Sequence, residues 1–288
     1  MAIPLFLDFL LWLGPQLSPA QLMEGILERS ASSPALSAEM LQAMQENREV
    51  WLEAGRTFNL LSLLVIHYPG IPSLMANRAG YGQTVSLDSS LAVMSLFLLL
   101  PLVGMLLASF YYAAIGNQVG PQGGSLSGAG ALAWRVWGRL LALAVLVLAL
   151  GFVALVPIAI LMMLLGSLGS SVMSFLTSFL MVAFFWLQFY LFFLMEALVI
   201  SDVGPLQAMR NSVAVVKHNL SSSLGLVMLS WIITLGMPVV WNTLAENPVG
   251  AIPAMLGNAY IASGLAAATM IFYRDRFSAI QSRMAGNS

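Results

Sequence analysis

Cysteine is absent from this 288-residue sequence, and charged residues and histidines are scarce. Without cysteine there is no disulfide, no thiolate nucleophile and no cysteine-ligated metal. Only 8% of the residues are charged, whereas a soluble globular domain carries roughly a quarter. Because 59% of the residues are hydrophobic, lipid must be the solvent for much of the chain. The formal net charge of -1 also argues against a nucleic-acid partner, which requires a basic face.

Long uncharged stretches separate the few charges, and they predict the membrane spans. A span needs about 20 apolar residues, and the stretch between Arg139 and Glu196 is long enough for two, with a natural break at residues 166–171. The sequence therefore predicts an all-α, polytopic integral membrane helical bundle. About six transmembrane helices are expected within residues 58–276, at 58–76, 91–115, 138–165, 172–198, 220–244 and 251–273.

Residues 1–57 are predicted to form N-terminal cytoplasmic or interfacial helices. Residues 1–14 are apolar but too short to span, and they contain Asp8, which favours a membrane-surface helix. Ser18 followed by Pro19 is typical of the start of a helix. A longer helix is expected from about Ser37, continuous with the first span.

The first expected span is interrupted by Pro69 and Pro72. Proline removes a helical hydrogen bond and disfavours helical backbone just before it. Two interpretations remain open, a helix kinked at the prolines and a helix that ends near Pro69. His67 lies beside this interruption, and it is interpreted as a helix-end residue at the outer boundary.

The basic residues predict the orientation, because they accumulate in short cytoplasmic loops. With six spans and the N-terminus inside, only Arg78 of the eleven basic residues falls on the outer side. Both termini, including the short tail over 277–288, are therefore expected in the cytoplasm. The cytoplasmic set is Arg29, Arg48, Arg56, Arg135, Arg139, Arg210, Lys217, Arg274, Arg276 and Arg283.

Two parts of the chain resemble each other. Residues 113–120 (AAIGNQVG) and 197–204 (ALVISDVG) each end a descending span, and each precedes an ascending span that contains a proline, Pro157 or Pro238. A duplicated helical hairpin is one interpretation, and chance likeness between apolar helices is the other. Transporters are known to use such repeats.

An amphipathic helix is predicted from Gly204-Pro205, since proline suits the first helical turn. It is too short to span and should lie along the inner membrane surface as an elbow. Glu196 ends the preceding span, where a carboxylate must reach water or a partner. We expect a structural interfacial cluster, and binding of a substrate or proton at Glu196 is the alternative. The cluster comprises Glu196, Arg210, Lys217 and His218.

The last span carries small residues four positions apart at Ala259, Ser263 and Ala267. Small residues at this spacing let helices approach closely in lipid. Packing inside the bundle is the simpler interpretation. The functional alternative is an interface with another protein or with a second copy of the chain.

Several short motifs lie in the second half of the chain: Glu196-Ala197-Leu198, Gly204, Ala208, Ser212, Lys217-His218-Asn219, the apolar run 224–235, and Phe272-Tyr273-Arg274-Asp275-Arg276. Together they resemble the bacterial glycerophosphoryl diester phosphodiesterase membrane-domain family. The resemblance implies a six-helix protein of the bacterial cytoplasmic (inner) membrane. It implies no reaction, because the chemistry of the named enzymes belongs to a separate soluble barrel.

No catalytic constellation, metal motif or cofactor motif is found in the sequence. His67 and His218 are expected on opposite sides of the bilayer, which excludes a metal pair or a relay between them. The sequence therefore favours a non-catalytic membrane protein, a scaffold, accessory subunit or envelope-homeostasis protein, with membrane lipids as partners. Transport or handling of an apolar or amphipathic substrate is the alternative, and an intramembrane enzyme is a third class.

Overall fold

A computed structural model describes residues 1–31, 38–65, 70–78, 80–120, 126–166 and 169–286 of the protein. Within these ranges nearly all regular structure is helical, as the composition predicts. The elements are α1 (Ala2–Leu13), β1 (Gln16–Ser18), α2 (Ala20–Ala31), α3 (Ala38–Glu46), α4 (Arg48–Thr57), a 3₁₀ turn (Leu60–Leu64), β2 (Thr84–Ser86), α5 (Ser90–Val119), α6 (Leu126–Gly166), α7 (Ser170–Tyr190), α8 (Leu194–Ile200), α9 (Pro205–His218), α10 (Leu220–Leu244) and α11 (Pro248–Gly286).

Five helical segments in the described part of the chain are long and apolar enough to cross a membrane. They confirm an all-α, multi-pass membrane protein. They correspond to the last five of the six expected spans, and the third of them joins α7 to α8. The segments are Ser90–Val119, Gly128–Leu165, Ser171–Ile200, Leu220–Leu244 and Pro248–Ala285.

The expected first span, residues 58–76, is corrected by the structure. Helix α4 ends at Thr57, Phe58 is extended, and the helical backbone described beyond it is the short 3₁₀ turn. The side chain of Asn59 explains the stop, because its Oδ1 accepts from the backbone N–H of Leu61 at 3.1 Å and of Leu17 at 3.1 Å. Asparagine competes in this way with continued helix. His67 and Pro69 lie outside the described residues.

The expected long helix from Ser37 is also divided, into α3 and α4, at Asn47. By contrast, α2 follows Ser18 as predicted. The Oγ of Ser18 accepts from the N–H of Ala20 at 3.2 Å and donates to the carbonyl of Gly55 in α4 at 2.7 Å. One hydroxyl therefore ties the start of α2 to α4.

The first of two compact units comprises Met1–Ala108 and Met237–Ser263. Strands β1 and β2 pair in parallel, with Gln16 opposite Thr84. The buried side of α1 carries Asp8, whose Oδ1 accepts from the Ser73 hydroxyl and from the N–H groups of Leu74 and Met75 at 2.9 and 3.0 Å. This carboxylate holds α1 against residues 73–75.

Within the same unit, the side chain of Arg78 contacts the C-terminal end of α10. Its guanidinium donates to the carbonyls of Ala245 at 3.0 Å and Asn242 at 3.3 Å. A cation at the C-terminal end of a helix satisfies free carbonyls and matches the helix dipole. The chain before α5 is thereby fixed to the turn between α10 and α11.

Leu64 meets α5 at Gly104. A Cβ built on Gly104 would lie 2.4 Å from the Leu64 carbonyl oxygen, so only glycine permits this approach. Gly104 is about 21 Å along α5 from Ser90 at a rise of about 1.5 Å per residue. Because exposed apolar residues on α5 begin already at Leu91, the end of the 3₁₀ turn at Leu64 lies beside the apolar part of α5.

The second unit comprises Ser109–Gly236 and Gly264–Ser288. Its core is centred on Phe193, Leu198 and Tyr273, which are buried with residues of α6, α9 and α11. Helices α6 and α10 continue through Pro157 and Pro238. Pro157 and Pro238 therefore do not break the described spans.

Candidate functional site

The third membrane segment is interrupted at residues 191–193, between α7 and α8. Ser212 of α9, fully buried, bridges the interruption. Its Oγ donates to the carbonyl of Tyr190 at 2.8 Å and accepts from the N–H of Phe193 at 3.2 Å. A helix broken at membrane depth must have its freed backbone groups satisfied by protein. One serine on the elbow helix supplies both partners.

The elbow helix α9 begins as predicted, with Gly204 as the N-cap and Pro205 in the first turn. One side of the helix packs on the protein, where Ala208, Asn211, Ser212, Val215 and Val216 are buried. Leu206, Met209, Val213 and Val216 recur at helical spacing as an apolar face, on which Val216 is buried and Leu206 is 61% exposed. That this face lies on the membrane surface stays a prediction.

The buried side of α9 includes two polar residues, Asn211 and Ser212. Both have hydrogen-bond partners, and an apolar period in the sequence does not reveal such partners. Asn211 accepts from Gln207 at 2.8 Å, and its side chain also lies within hydrogen-bonding reach of Tyr273. The polar side of the helix thus faces the protein at these positions.

Glu196 lies in the first turn of α8 and is only 7% exposed. The Thr269 side chain of α11 lies near its carboxylate, but the Thr269 hydroxyl donates to the Ala266 carbonyl at 3.0 Å. The Oε2 of Glu196 is buried and has no hydrogen-bond partner among the described residues. Such a carboxylate, deep in a membrane segment and nearly without donors, is costly and marks a candidate functional site.

Besides Thr269, a group of hydroxyl and amide side chains around Tyr273 lies near this carboxylate. The Tyr273 hydroxyl lies 2.7 Å from the Ser201 Oγ and within hydrogen-bonding reach of Asn211. Thr269 and Tyr273 are four residues apart, which places them on one face of α11. We call Glu196, Ser201, Asn211, Thr269 and Tyr273 the inner polar cluster.

The structure does not bring together the four residues of the expected interfacial cluster. Glu196 is buried, whereas Arg210, Lys217 and His218 are exposed. His218 places its Nδ1 2.8 Å from the Ala214 carbonyl on its own helix. In the part of the chain that the structure describes, no ion pair joins Glu196 to Arg210 or Lys217.

Arg135, Arg139 and Asp202 form an ion-pair clamp just after α8, and the sequence analysis does not predict them as partners. Arg139 donates to the Leu198 carbonyl at 3.2 Å and forms an ion pair with Asp202, and Arg135 approaches the same carboxylate at 3.3 Å. Partial burial raises the pKa of Asp202, but the hydrogen bonds and charges of Arg139 and Arg135 outweigh it and hold that pKa below its ordinary value.

Asp202 has a backbone φ of 51°, in the left-handed region. Aspartate and asparagine tolerate this region better than most residues. The i, i+4 spacing of Arg135 and Arg139 on α6 predicts a shared face. A search for a carboxylate just after the expected span could therefore have found this clamp.

The small residues of the last span lie partly inside the fold. Ala259 is fully buried, and Ser263 and Ala267 are partly buried. Among the described residues, no three histidine, aspartate or glutamate side chains gather in a way that could hold a metal ion.

No family model, no curated protein and no solved structure matches this chain. The resemblance to the glycerophosphoryl diester phosphodiesterase membrane-domain family therefore stays a prediction. The candidate site is defined by its own geometry, an interrupted membrane segment with a buried and almost unpartnered carboxylate beside the interruption.

Proposed function

We propose that this chain is a non-catalytic membrane protein, a scaffold or accessory subunit, that acts through contacts of its helices with lipid and with neighbouring helices. The observation that carries this proposal is the uncovered surface of α6. None of the most apolar window of its span is buried. A surface of this kind in a membrane is covered by lipid chains or by another helix.

Over residues 152–156 the exposure of α6 extends around the helix, because all five consecutive residues are exposed and at about 3.6 residues per turn they point in different directions. Phe152, Val153, Leu155 and Val156 are 73, 68, 65 and 47% exposed. Phe175 of α7, 74% exposed, adds a large apolar side chain on the next helix. This part of the two helices therefore presents apolar surface that the described protein leaves uncovered.

The experiment places a photo-crosslinking amino acid at Phe152 in cells, with Phe193, fully buried, as the matched control. We expect adducts with lipid or with a neighbouring helix from position 152 and adducts within the chain from position 193. Adducts from position 152 to other parts of the same chain would contradict the proposal. A protein adduct favours the accessory-subunit form, and a self-adduct between two copies favours a homo-oligomer.

The proposal includes an orientation in the cytoplasmic membrane of a bacterium. Five spans place the two ends of the membrane region on opposite sides, and the positive-inside rule favours the cytoplasm for the side with more basic residues. That side holds Arg135, Arg139, Arg210, Lys217, Arg274, Arg276 and Arg283, against Arg29, Arg48, Arg56 and Arg78 on the other. The C-terminus is then cytoplasmic, and residues 1–89 are outside.

The absence of native cysteine makes this orientation easy to test. Single cysteines replace the exposed residues Gln45 and Ser282, and a membrane-impermeant maleimide is added to intact spheroplasts. We expect labelling at position 45 and protection at position 282 until the membrane is opened. Protection at both positions would instead support two cytoplasmic termini, as six spans require.

Transport or lipid handling is the second candidate, favoured by the interrupted segment at residues 191–193. Transporters bind substrates and ions at broken helices of this kind. The buried hydroxyls of Ser223 and Ser230 on α10, which lack hydrogen-bond partners, provide the test. Cysteine at these positions should react with a water-soluble thiol reagent if a water-filled path reaches them, and a closed bundle leaves both unreactive.

A further inference from the structure

The inner polar cluster contains a buried carboxyl group that has no countercharge in the described protein. Glu196 is at least nine-tenths buried, and among the described residues its Oε2 has no hydrogen-bond partner. Arg139 donates to the carbonyl of Leu198, two residues after Glu196, but its guanidinium forms an ion pair with Asp202. Arg210 and Lys217 are exposed. A buried carboxylate without a countercharge is strongly unfavourable unless a proton or a bound cation neutralises it.

The side chains around Glu196 present oxygen atoms. The Thr269 hydroxyl lies near the carboxylate, and because its proton goes to the Ala266 carbonyl, its oxygen keeps lone pairs for a cation. Tyr273 lies close enough to sense the charge of the carboxylate. The Ser201 hydroxyl and the Asn211 amide contact Tyr273 in turn. Carboxylate, hydroxyl and amide oxygens are hard ligands, and they suit hard cations rather than thiophilic or imidazole-preferring metals.

The number of charges limits the ligand further. One carboxylate balances one positive charge, whereas sites for calcium or magnesium usually gather more than one carboxylate. The break at residues 191–193, one turn before Glu196, is the setting in which membrane transporters bind Na⁺. Ser212 bridges this break through its hydrogen bonds to Tyr190 and Phe193.

We infer that the inner polar cluster binds one monovalent alkali cation, with the Glu196 carboxylate as its charged ligand and the Thr269 hydroxyl as a neutral one. The cation supplies the missing countercharge and a partner for Oε2. This site does not depend on the lipid contacts of α6 and α7, so either proposal can fail without the other.

The experiment measures thermal unfolding of the full chain in nanodiscs at constant ionic strength, with Na⁺, K⁺ or Li⁺ replacing choline. We expect at least one alkali cation to raise the Tm of the wild type by about 3–6 °C at about tenfold above its dissociation constant. Glu196→Gln keeps the shape of the side chain and removes the charge, so its Tm should not respond. Asp275→Asn, at an exposed ion pair on α11, should respond like the wild type.

Thr269→Val keeps the shape of the neutral ligand and removes its oxygen, so the cation concentration for the half-maximal Tm shift should rise about tenfold, as expected for one lost ligand contact. A wild-type Tm that no alkali cation changes would overturn the proposal, and a proton would then be the ligand of Glu196. A response that persists in Glu196→Gln would also overturn it, because the cation would then bind elsewhere.

Discussion

Asp8 and Glu196 are both buried carboxylates, and each has one oxygen without a hydrogen-bond partner among the described residues. They differ in what reaches the other oxygen. Asp8 accepts hydrogen bonds from one hydroxyl and two backbone N–H groups of residues 73–75, whereas the hydroxyl near Glu196, that of Thr269, donates to the Ala266 carbonyl. The residues around Asp8 direct hydrogen-bond donors at its carboxylate, and the residues around Glu196 do not.

The neighbours of Glu196 bond to one another instead. Ser212 bonds to backbone groups, Tyr273 contacts Ser201, and Asp202 pairs with arginines. Burial alone therefore does not distinguish a structural carboxylate from a candidate ligand-binding one. The distinguishing property is whether local donors are directed at the charge.

The largest effect that tests this comparison is expected from Asp8→Ala. The substitution leaves two buried N–H groups without an acceptor and removes a third hydrogen bond, and we expect a local loss of about 2–4 kcal/mol. Hydrogen exchange of α1 and of residues 71–78 measures it. Asp8→Asn retains an acceptor oxygen and should cost clearly less. Unchanged protection in Asp8→Ala would show that α1 is held by apolar contacts alone.

Ser212→Ala should have the next largest effect. It leaves the Tyr190 carbonyl and the Phe193 N–H without their partner at the break, at an expected cost of about 2 kcal/mol. Chemical or thermal unfolding of the purified protein gives the difference. Ser221→Ala, at an exposed position of α10, should stay within about 0.5 kcal/mol of the wild type. Equal stability of the two variants would mean that the break needs no support from α9.

Asp202→Asn should have a smaller effect. Asparagine tolerates the left-handed backbone, so the variant removes the charge and not the conformation. The Asp202 side chain is 44% exposed, and since water screens such a pair the expected cost is about 1 kcal/mol. Because the pKa of Asp202 is lowered in the fold, this contribution is present at neutral pH and disappears as the pH falls below its ordinary range. If the variant is as stable as the wild type at pH 7, the ion pairs of Asp202 do not contribute to the stability of the fold.

The smallest expected effect is the pH dependence at Asp8. Burial raises the pKa of Asp8 despite the hydrogen bonds from Ser73, Met75 and Leu74, so the folded protein binds a proton more tightly than the unfolded chain. Stability should therefore increase as the pH falls from the raised pKa toward 3.8. Hydrogen exchange of α1 across this pH range should show the increase in the wild type and not in Asp8→Asn. The same trend in both would assign it to another group.

Charge spacing predicted the last five spans because a long apolar run in lipid has few alternatives to a helix. The same rule failed at residues 58–76. There, Asn59 offers its side chain to two N–H groups, and Leu64 packs against Gly104. Hydropathy counts apolar residues, and it cannot register a capping side chain or a glycine forty positions along the chain.

The candidate site was partly predictable. The sequence singles out Glu196 because a carboxylate at a span end is rare, but it predicts the basic residues of α9 as partners. Thr269 and Tyr273 lie on α11, far along the chain from Glu196. Both are uncharged, so charge patterning does not reveal them. Ser212 appeared only within a resemblance, since a single serine has no pattern of its own.

The contact between Leu64 and Gly104 also constrains the order of events during synthesis. The ribosome produces the 3₁₀ turn Leu60–Leu64 before α5, the helix against which its backbone rests. Peptide groups that have no helical partners cannot enter lipid alone. The segment must therefore stay in water or in the insertion machinery until α5 emerges, so that residues 60–64 reach their final place after a helix that is synthesised later.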